Sequence, residues 1–335
     1  MRIALRYLAA GVVVFAVASV LGRSYLLDWL GVGTAAAADF SAGFRESRTT
    51  DRVIGKSVDL AIWYPTRTKE AHVAVSMMRL RVAREAAPAG GRFPLVVISH
   101  GTAGSQFQHH DTARYLARRG FIVVALSHPE DNHKDDSGLT RWSGWLGRVR
   151  QFSLAIDAAL GDEGLGRHID RMRIAAIGYS GGGHTVLAAA GAKARYAALA
   201  EHCKRIRVHT RLCGREGPLV ENSDKFSLVT ERRIRAVVAL APVAAFFGDD
   251  AFKDFRARVM IYRAEEDEAL PFPHHAARLT KILPKGTRYR IAENAGHEVF
   301  EAPEAENGDV EIAGQRKFHR RMNAEIHDFL REALK

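Results

Sequence analysis

The stretch that decides the fold is Gly178-Tyr-Ser-Gly-Gly182. The apolar end of residues 171–178 predicts a short buried strand before it, and the Ala-rich run 184–190 predicts a helix after it. G-x-S-x-G between a strand and a helix is typical of a nucleophile elbow, a turn so tight that the flanking positions must be small. The sequence therefore predicts Ser180 as a nucleophile at the carboxyl edge of a sheet. The alternative is a structural strand–helix turn.

Strand and helix patterns alternate on both sides of this stretch. Continuous apolar runs such as residues 93–99 are typical of parallel strands that are buried on both faces. The predicted strands are 58–64, 93–99, 121–126, 174–179, 234–240, 258–262 and 287–291, and the predicted helices include 108–119, 145–160 and 315–334. Residues 66–92 are predicted to form a hairpin or loop. The alternation indicates a doubly wound, mostly parallel α/β sheet that binds ligands at the carboxyl ends of its strands.

One connection is too long for an ordinary α/β unit. The helix pattern after Ser180 ends near Ala194, and the next strand pattern begins only at Ile234. Connections in such sheets are usually short, so a long one is typical of a functional segment. We therefore predict a lid-like insertion over residues 194–233, at the carboxyl edge of the sheet.

The N-terminus has the pattern of an export segment. Arg2 and Arg6 precede an apolar run over residues 9–21, and Ala35–Ala38 offers a small-residue cleavage site. We expect an exported protein, periplasmic or secreted, with a signal peptide over 1–38 and one catalytic domain over 39–335. Further apolar residues after Arg23 leave open an uncleaved anchor, with peripheral membrane association through the N-terminus.

The composition supports one large domain and argues against nucleic acid as a partner. The chain has 335 residues, of which 47% are hydrophobic, enough for a large core. Its net charge is +11, but the basic residues lie in short scattered groups, such as Arg118-Arg119 and 204–207. No basic helix interleaved with aromatics is present, so we interpret the charge as a solvated surface. The oligomeric state stays open.

In an exported protein, the two cysteines are expected to form a disulfide. Cys203 and Cys213 are the only cysteines of the chain and lie in one polar segment. An even pair in an oxidising compartment favours a disulfide. Free thiols are one alternative. The other is a metal site with His202 and His209, which has suitable ligand types but no familiar zinc spacing.

A serine nucleophile needs a base. In an elbow of this kind the chain order is serine, acid, histidine. His297 lies in a Gly-His loop after the last predicted strand, where the base is expected. His274 and His275 are the competing histidines, and we interpret them as a surface pair at a Pro-flanked helix start.

The acid is expected in a loop after an earlier strand. Strand 258–262 leads into four consecutive carboxylates, residues 265–268. Asp267 has the short side chain that suits a fixed loop geometry, and Glu266 is the second choice. If none of the four serves, the acid would follow the preceding strand, at Asp249 or Asp250.

Acyl transfer also requires two backbone N–H groups directed at the developing oxyanion. One belongs to the residue after the nucleophile, Gly181. The other is expected in the loop after strand 93–99, where Thr102 follows a His-Gly pair. We predict Thr102 as the second donor and His100 as a residue that packs the loop.

These motifs identify the chain as a member of the α/β-hydrolase superfamily. Residues 93–101, 116–125 and 127–129, together with Ile62–Pro65, resemble the platelet-activating-factor acetylhydrolase and predicted dienelactone-hydrolase-like group. The resemblance covers roughly residues 55–300. It implies an α/β-hydrolase fold and hydrolysis of carboxylic esters without metal or organic cofactor. Two departures argue against transferring a substrate: the elbow carries Ser180 where dienelactone hydrolases use cysteine, and the acid falls on Asp267, one strand later than in the acetylhydrolases.

The leading functional hypothesis is a serine esterase that acts on a small-molecule or lipid-like ester. The same triad serves thioesterases, amidases, peptidases and polyester hydrolases. A hydrolase fold kept as a binding protein would be suggested by a missing triad member, and none is missing.

Overall fold

The computed structural model describes residues 40–76, 78–139, 141–205, 230–303 and 310–335. The strands are β1 Ser41–Asp51, β2 Lys56–Thr66, β3 Ala71–Val75, β4 Met78–Arg84, β5 Phe93–Ser99, β6 Ile122–Leu126, β7 Ile169–Tyr179, β8 Ile234–Leu240, β9 Arg258–Ala264 and β10 Arg288–Ala292. The helices are α1 His110–Ala117, α2 Trp142–Gly161, α3 Gly181–Ala189, α4 Tyr196–Arg205, α5 Ala276–Ile282 and α6 Val310–Ala333. Short 3₁₀ helices cover Gly166–His168 and His297–Phe300.

The strands lie in one sheet, in the order β10-β9-β8-β7-β5-β6-β2-β1-β4-β3. The half from β6 to β10 is parallel, whereas β2 pairs antiparallel with both β1 and β6. Parallel strands direct their carboxyl ends to one edge of the sheet. The loops that follow β5, β7, β9 and β10 therefore all begin at the same edge.

Helices cover both faces of the sheet, as the continuous apolar runs predict. One core packs side chains of α2 and α3, such as Phe152 and Val186, against the sheet. The other packs side chains of α1 and α6, such as Leu116 and Phe329, against the opposite face. All residues of β5 are buried, because this strand lies between two layers of helix. The predicted doubly wound α/β sheet is confirmed.

The other half of the sheet differs from the prediction in one element. Residues 66–92 contain the β3–β4 hairpin, as expected, but β1 has no counterpart among the predicted strands. Its second half is mostly exposed and polar, so the apolar alternation that marks a strand is missing there. Phe44 is fully buried and packs its ring 5.2 Å from that of Trp63 in β2.

Several predictions concern residues outside the described ranges. These include the export segment 1–38, residues 206–229 of the insertion, and with them His209 and Cys213. Within the insertion, α4 is described, and Ala194 forms a β-bridge with Phe247. No helix in the described ranges is long and apolar enough to cross a membrane.

Candidate active site

Ser180 lies on the sharp turn between β7 and α3, with its φ angle at 52°. The turn leaves no room for a side chain two residues before or two residues after Ser180. A Cβ atom added at Gly178 would lie 2.1 Å from the Gly182 carbonyl oxygen, and one added at Gly182 would lie 2.1 Å from the Ser99 carbonyl oxygen. The glycines are therefore required by direct backbone contacts, within the elbow at Gly178 and with the end of β5 at Gly182.

Ser180, His297 and Asp267 form one chain of hydrogen bonds. His297 Nε2 lies 3.0 Å from Ser180 Oγ, and His297 Nδ1 lies 2.8 Å from Asp267 Oδ2. Each of the three residues exposes 9% of its surface. An ionised carboxylate only accepts hydrogen bonds, so it fixes the proton on Nδ1 and leaves Nε2 free to accept the serine proton.

The chain topology brings the three residues together. Ser180 follows β7, Asp267 follows β9 and His297 follows β10, and the carboxyl ends of these strands share one edge. Asp267 Oδ1 accepts a 2.7 Å hydrogen bond from the Leu270 N–H, which holds the carboxylate in its loop. The structure thus assembles all three residues that the sequence singles out for the triad.

The predicted oxyanion donors are neighbours. A Cβ atom added at Gly181 would lie 3.5 Å from the Thr102 nitrogen and 2.8 Å from its Cγ2. The carbonyl oxygen of Ser180 accepts a 3.1 Å hydrogen bond from the Val243 N–H, which fixes the peptide plane that carries the Gly181 N–H. At the start of a helix this N–H has no acceptor within the helix, so it is available to a ligand.

Gln108 connects the loop that carries Thr102 to the segment that follows His297. Its Oε1 accepts a 2.8 Å hydrogen bond from the Gly101 N–H, and its Nε2 donates to Glu301 Oε1 at 2.9 Å. The role of this residue cannot be found from the sequence, because no local pattern signals a contact between segments so far apart.

His100 supports the same loop from inside the protein. It is buried, and its Nε2 accepts a 3.0 Å hydrogen bond from the His128 N–H. Burial, together with the nearby charge of Arg148, holds the pKa of His100 well below its usual range. The imidazole therefore stays neutral, which suits a packing role.

The competing candidates lie elsewhere. His275 is 1% exposed, and its Nδ1 accepts a 3.1 Å hydrogen bond from the Ala244 N–H, so its interpretation as a surface residue is wrong. α5 begins only at Ala276, five residues after Pro271. Asp249 forms an ion pair with Arg278 and Asp250 forms one with Arg195, so both carboxylates are engaged away from the triad.

The remaining carboxylates of the acidic turn are exposed. Glu265, Glu266 and Glu268 all face solvent. Glu265 Oε2 also accepts a 2.9 Å hydrogen bond from the Asn294 N–H, so it ties the acidic turn to the loop that carries His297.

The described residues contain no group of three or more side chains that could hold a metal ion. The predicted disulfide stays a prediction, because Cys213 lies outside the described ranges.

Comparisons with known proteins show the family and the fold of this chain. A family model described as the prolyl oligopeptidase family matches residues 106–334. Among solved structures, a ferulic acid esterase from Streptomyces cinnamoneus has a similar fold, with a TM-score of 0.61 and 19% identity over 90% of this chain and 91% of that chain. No curated protein sequence is significantly similar. The finer resemblance to the acetylhydrolase and dienelactone-hydrolase-like group stays a prediction. The chain belongs to the prolyl oligopeptidase family, within the α/β-hydrolase superfamily, and is a serine hydrolase.

Proposed function

We propose that the protein hydrolyses carboxylic esters through an acyl-enzyme on Ser180. The hydrogen-bonded chain from Ser180 through His297 to Asp267 carries this proposal. His297 Nε2 takes the serine proton while Oγ attacks the ester carbonyl carbon. The negative charge that develops on the carbonyl oxygen is stabilised by the N–H groups of Thr102 and Gly181.

The tetrahedral intermediate then collapses. The carbon–oxygen bond to the alcohol breaks, and the imidazolium of His297 gives its proton to the leaving alkoxide. A water molecule attacks the acyl-enzyme, with His297 again as the base, and the acid departs as Ser180 regains its proton. Asp267 stabilises the imidazolium in both halves of the reaction. Apart from the attacking water, the groups that act on the ester in these steps are side chains and amides of this chain.

Two observations favour an ester over a peptide. The motifs around residues 62–65, 93–101 and 127–129 resemble those of ester hydrolases. One solved structure with a similar fold is a ferulic acid esterase. The second candidate is a peptidase, because the matching family is named after an oligopeptidase and the same triad cleaves amides.

An experiment with matched substrates separates the two. A fluorophosphonate probe is expected to label the wild-type protein once, and Ser180→Ala is expected to abolish the label. kcat/KM is then measured on an ester, a thioester and an amide that share one acyl group, over a series of acyl lengths. Faster cleavage of the ester supports the proposal. Comparable kcat/KM on peptide amides would favour the peptidase, and labelling that persists in Ser180→Ala would place the nucleophile elsewhere.

We also propose that the enzyme acts after export. The pattern of residues 1–38 supports this location, and the cysteine pair is consistent with an oxidising compartment. Expression of the full chain, followed by cell fractionation and N-terminal sequencing, tests the location. Cleavage near Ala38 is expected in exported material, whereas an intact N-terminus in the membrane fraction would indicate the anchor.

A further inference from the structure

A buried ion pair lies behind the predicted oxyanion site, and the triad does not use it. Arg148 of α2 exposes 1% of its surface and Asp131, in the loop after β6, exposes 3%. The two side chains form a direct hydrogen-bonded pair between Arg148 Nη1 and Asp131 Oδ2. Both come from segments that contribute no residue to the triad.

Asp131 holds one end of the loop that carries Thr102. Its second oxygen, Oδ1, accepts a 2.8 Å hydrogen bond from the Ala103 N–H. Ala103 has a φ angle of 57°, in the left-handed region that residues other than glycine rarely adopt. The carboxylate therefore fixes a strained turn immediately after Thr102.

Arg148 holds the other end of the loop and also reaches α3. Its Nη2 donates to the His100 carbonyl oxygen, and its Nε donates to Thr185 Oγ1 at 3.0 Å. Thr185 Oγ1 in turn donates to the Gly181 carbonyl oxygen at 3.0 Å. One guanidinium thus connects the loop of Thr102 to the first turn of the helix that carries Gly181.

These contacts constrain the amides on both sides of Thr102. The His100–Gly101 peptide is held at its oxygen by Arg148 and at its nitrogen by Gln108. The N–H that follows Thr102 is held by Asp131. In the described part of the chain, the Thr102 N–H itself donates no hydrogen bond, so it is available to a ligand.

We propose that Asp131 and Arg148 are positioning residues that set the geometry of the oxyanion site and join its two halves. This inference rests on the proposed function. A buried ion pair is a weak source of stability, because desolvation of two charges offsets their attraction. Arginine suits the task because its planar, rigid fork donates in several fixed directions, which lysine does not reproduce.

Asp131→Asn tests the proposal with little change of volume. Ala103 and Arg148 donate to the two different oxygens of Asp131, and the amide replaces one of these oxygens by an NH₂ group that cannot accept. Removal of a whole oxyanion donor costs about 10²–10³ in kcat, and we expect a displaced donor to cost about 10- to 100-fold. KM is expected to change by less than about threefold, because the loss concerns the transition state and not ground-state binding.

A second readout separates positioning from a general loss of structure. A trifluoromethyl ketone forms a tetrahedral adduct with a catalytic serine, and its Kd is expected to rise by the same factor as kcat falls. The matched control is Arg150→Gln on the same helix, which breaks the ion pair of Arg150 with the fully buried Asp51. The control is expected to keep kcat and the inhibitor Kd within about threefold, whatever its effect on Tm.

Two results would overturn the proposal. One is a folded Asp131→Asn protein with wild-type kcat and inhibitor affinity. The other is an equal loss in Arg150→Gln, which would indicate a general structural effect. If Asp131→Asn does not fold, Arg148→Lys replaces it, with the same losses expected, and full activity there would reject the proposal. Failure of the proposed function appears separately, in a wild-type protein that neither hydrolyses esters nor reacts with the fluorophosphonate.

Discussion

The Tyr179 hydroxyl donates a 3.1 Å hydrogen bond to the main-chain carbonyl oxygen of His297. The two rings also pack with their centres 5.0 Å apart. Burial raises the pKa of Tyr179, so the hydroxyl stays protonated and remains a donor at any working pH. The variable residue inside the G-x-S-x-G motif thus holds the backbone of the proposed base.

Tyr179→Phe is expected to lower both activity and stability. The carbonyl oxygen of His297 loses its buried partner, which costs about 1–2 kcal/mol in the free energy of unfolding. The control is Tyr262→Phe, which removes a 2.6 Å hydrogen bond to Glu325 away from the triad. Denaturant unfolding and kcat are measured for both. Both variants are expected to lose stability, but only Tyr179→Phe is expected to lose several-fold in kcat, and equal kcat values would contradict this role.

Asp267→Asn is expected to reduce kcat by up to about 10⁴-fold with little change in KM, because the amide no longer fixes the tautomer of His297 or stabilises its charged form. Glu266→Gln is the neighbouring control. Its side chain is exposed, so the change of charge is expected to alter kcat by less than about tenfold. A reversed pattern, with Glu266→Gln inactive, would show that the acid has been assigned one residue too far along the chain.

Gly182→Ala is expected to prevent folding, because its Cβ would lie 2.1 Å from the Ser99 carbonyl oxygen and 2.5 Å from that of His100. Gly314→Ala in α6 is the matched control, since nothing lies within 4 Å of the added atom. Alanine is the better helix former, so the control is expected to be neutral or to gain up to about 1 kcal/mol. Yield of soluble protein and Tm provide the measurement. A soluble Gly182→Ala protein with normal Tm would show that the elbow can move away from β5.

The pair formed by Asp111 and His319 is expected to make stability depend on pH. Burial opposes a charge on His319, but the hydrogen bond to Asp111, 2.7 Å away, outweighs it, so the pKa of His319 lies above its usual 6.5. Burial would also raise the pKa of Asp111, yet the contacts with His319 and its other neighbours place it below the usual 3.8. The contribution of His319 is thus complete below pH 6.5 and is lost as the pH rises through the higher, folded-state pKa. That of Asp111 is present above pH 3.8 and is lost as the pH falls through the lower, folded-state pKa.

His319→Gln tests this dependence. The wild type is expected to exceed the variant by about 2 kcal/mol in the free energy of unfolding at pH 5.5, the scale of a hydrogen bond to a charged group. The difference is expected to shrink by pH 8.5. His72→Gln, at an exposed site on β3, serves as the control with no such trend. A constant difference between pH 5.5 and 8.5 would contradict the charged pair.

The predicted disulfide between Cys203 and Cys213 is expected to stabilise the exported protein by about 2–3 kcal/mol, since it closes a short loop of the unfolded chain. Intact mass after alkylation, with and without prior reduction, decides whether the bond is present. Two alkylated thiols in native material taken from the periplasm would rule it out. Cys203→Ser combined with Cys213→Ser then measures the stabilisation.

The sequence was sufficient for the parts of the site that depend on local geometry or on chain order. Ser180 is set by the glycines around it, and each of those positions proved to be sterically constrained. His297 and Asp267 followed from the order of strands, because a parallel sheet collects the loops at the carboxyl ends of its strands. The fold class followed from the same alternation of strands and helices.

Other parts depend on contacts that no local pattern encodes. Arg148 and Asp131 belong to different segments, and nothing in either stretch signals that the two charges meet inside the protein. β1 was missed because its polar half lacks an apolar period, although its pairing with β2 is continuous. The interpretation of His275 failed for a related reason, since its partner, Ala244, lies in a distant loop.

The position of β10 at the edge of the sheet bears on thermal inactivation. This strand ends the sheet and pairs with β9, and its three central residues are exposed. Edge strands open at lower free energy than the centre of a sheet, and His297 lies only five residues after β10 ends at Ala292. We therefore expect heat inactivation to begin with fraying of this edge, while most of the secondary structure is still intact. The ion pairs of Arg288 and Arg290 with α6 join β10 to the neighbouring helix, so we expect them to oppose this fraying.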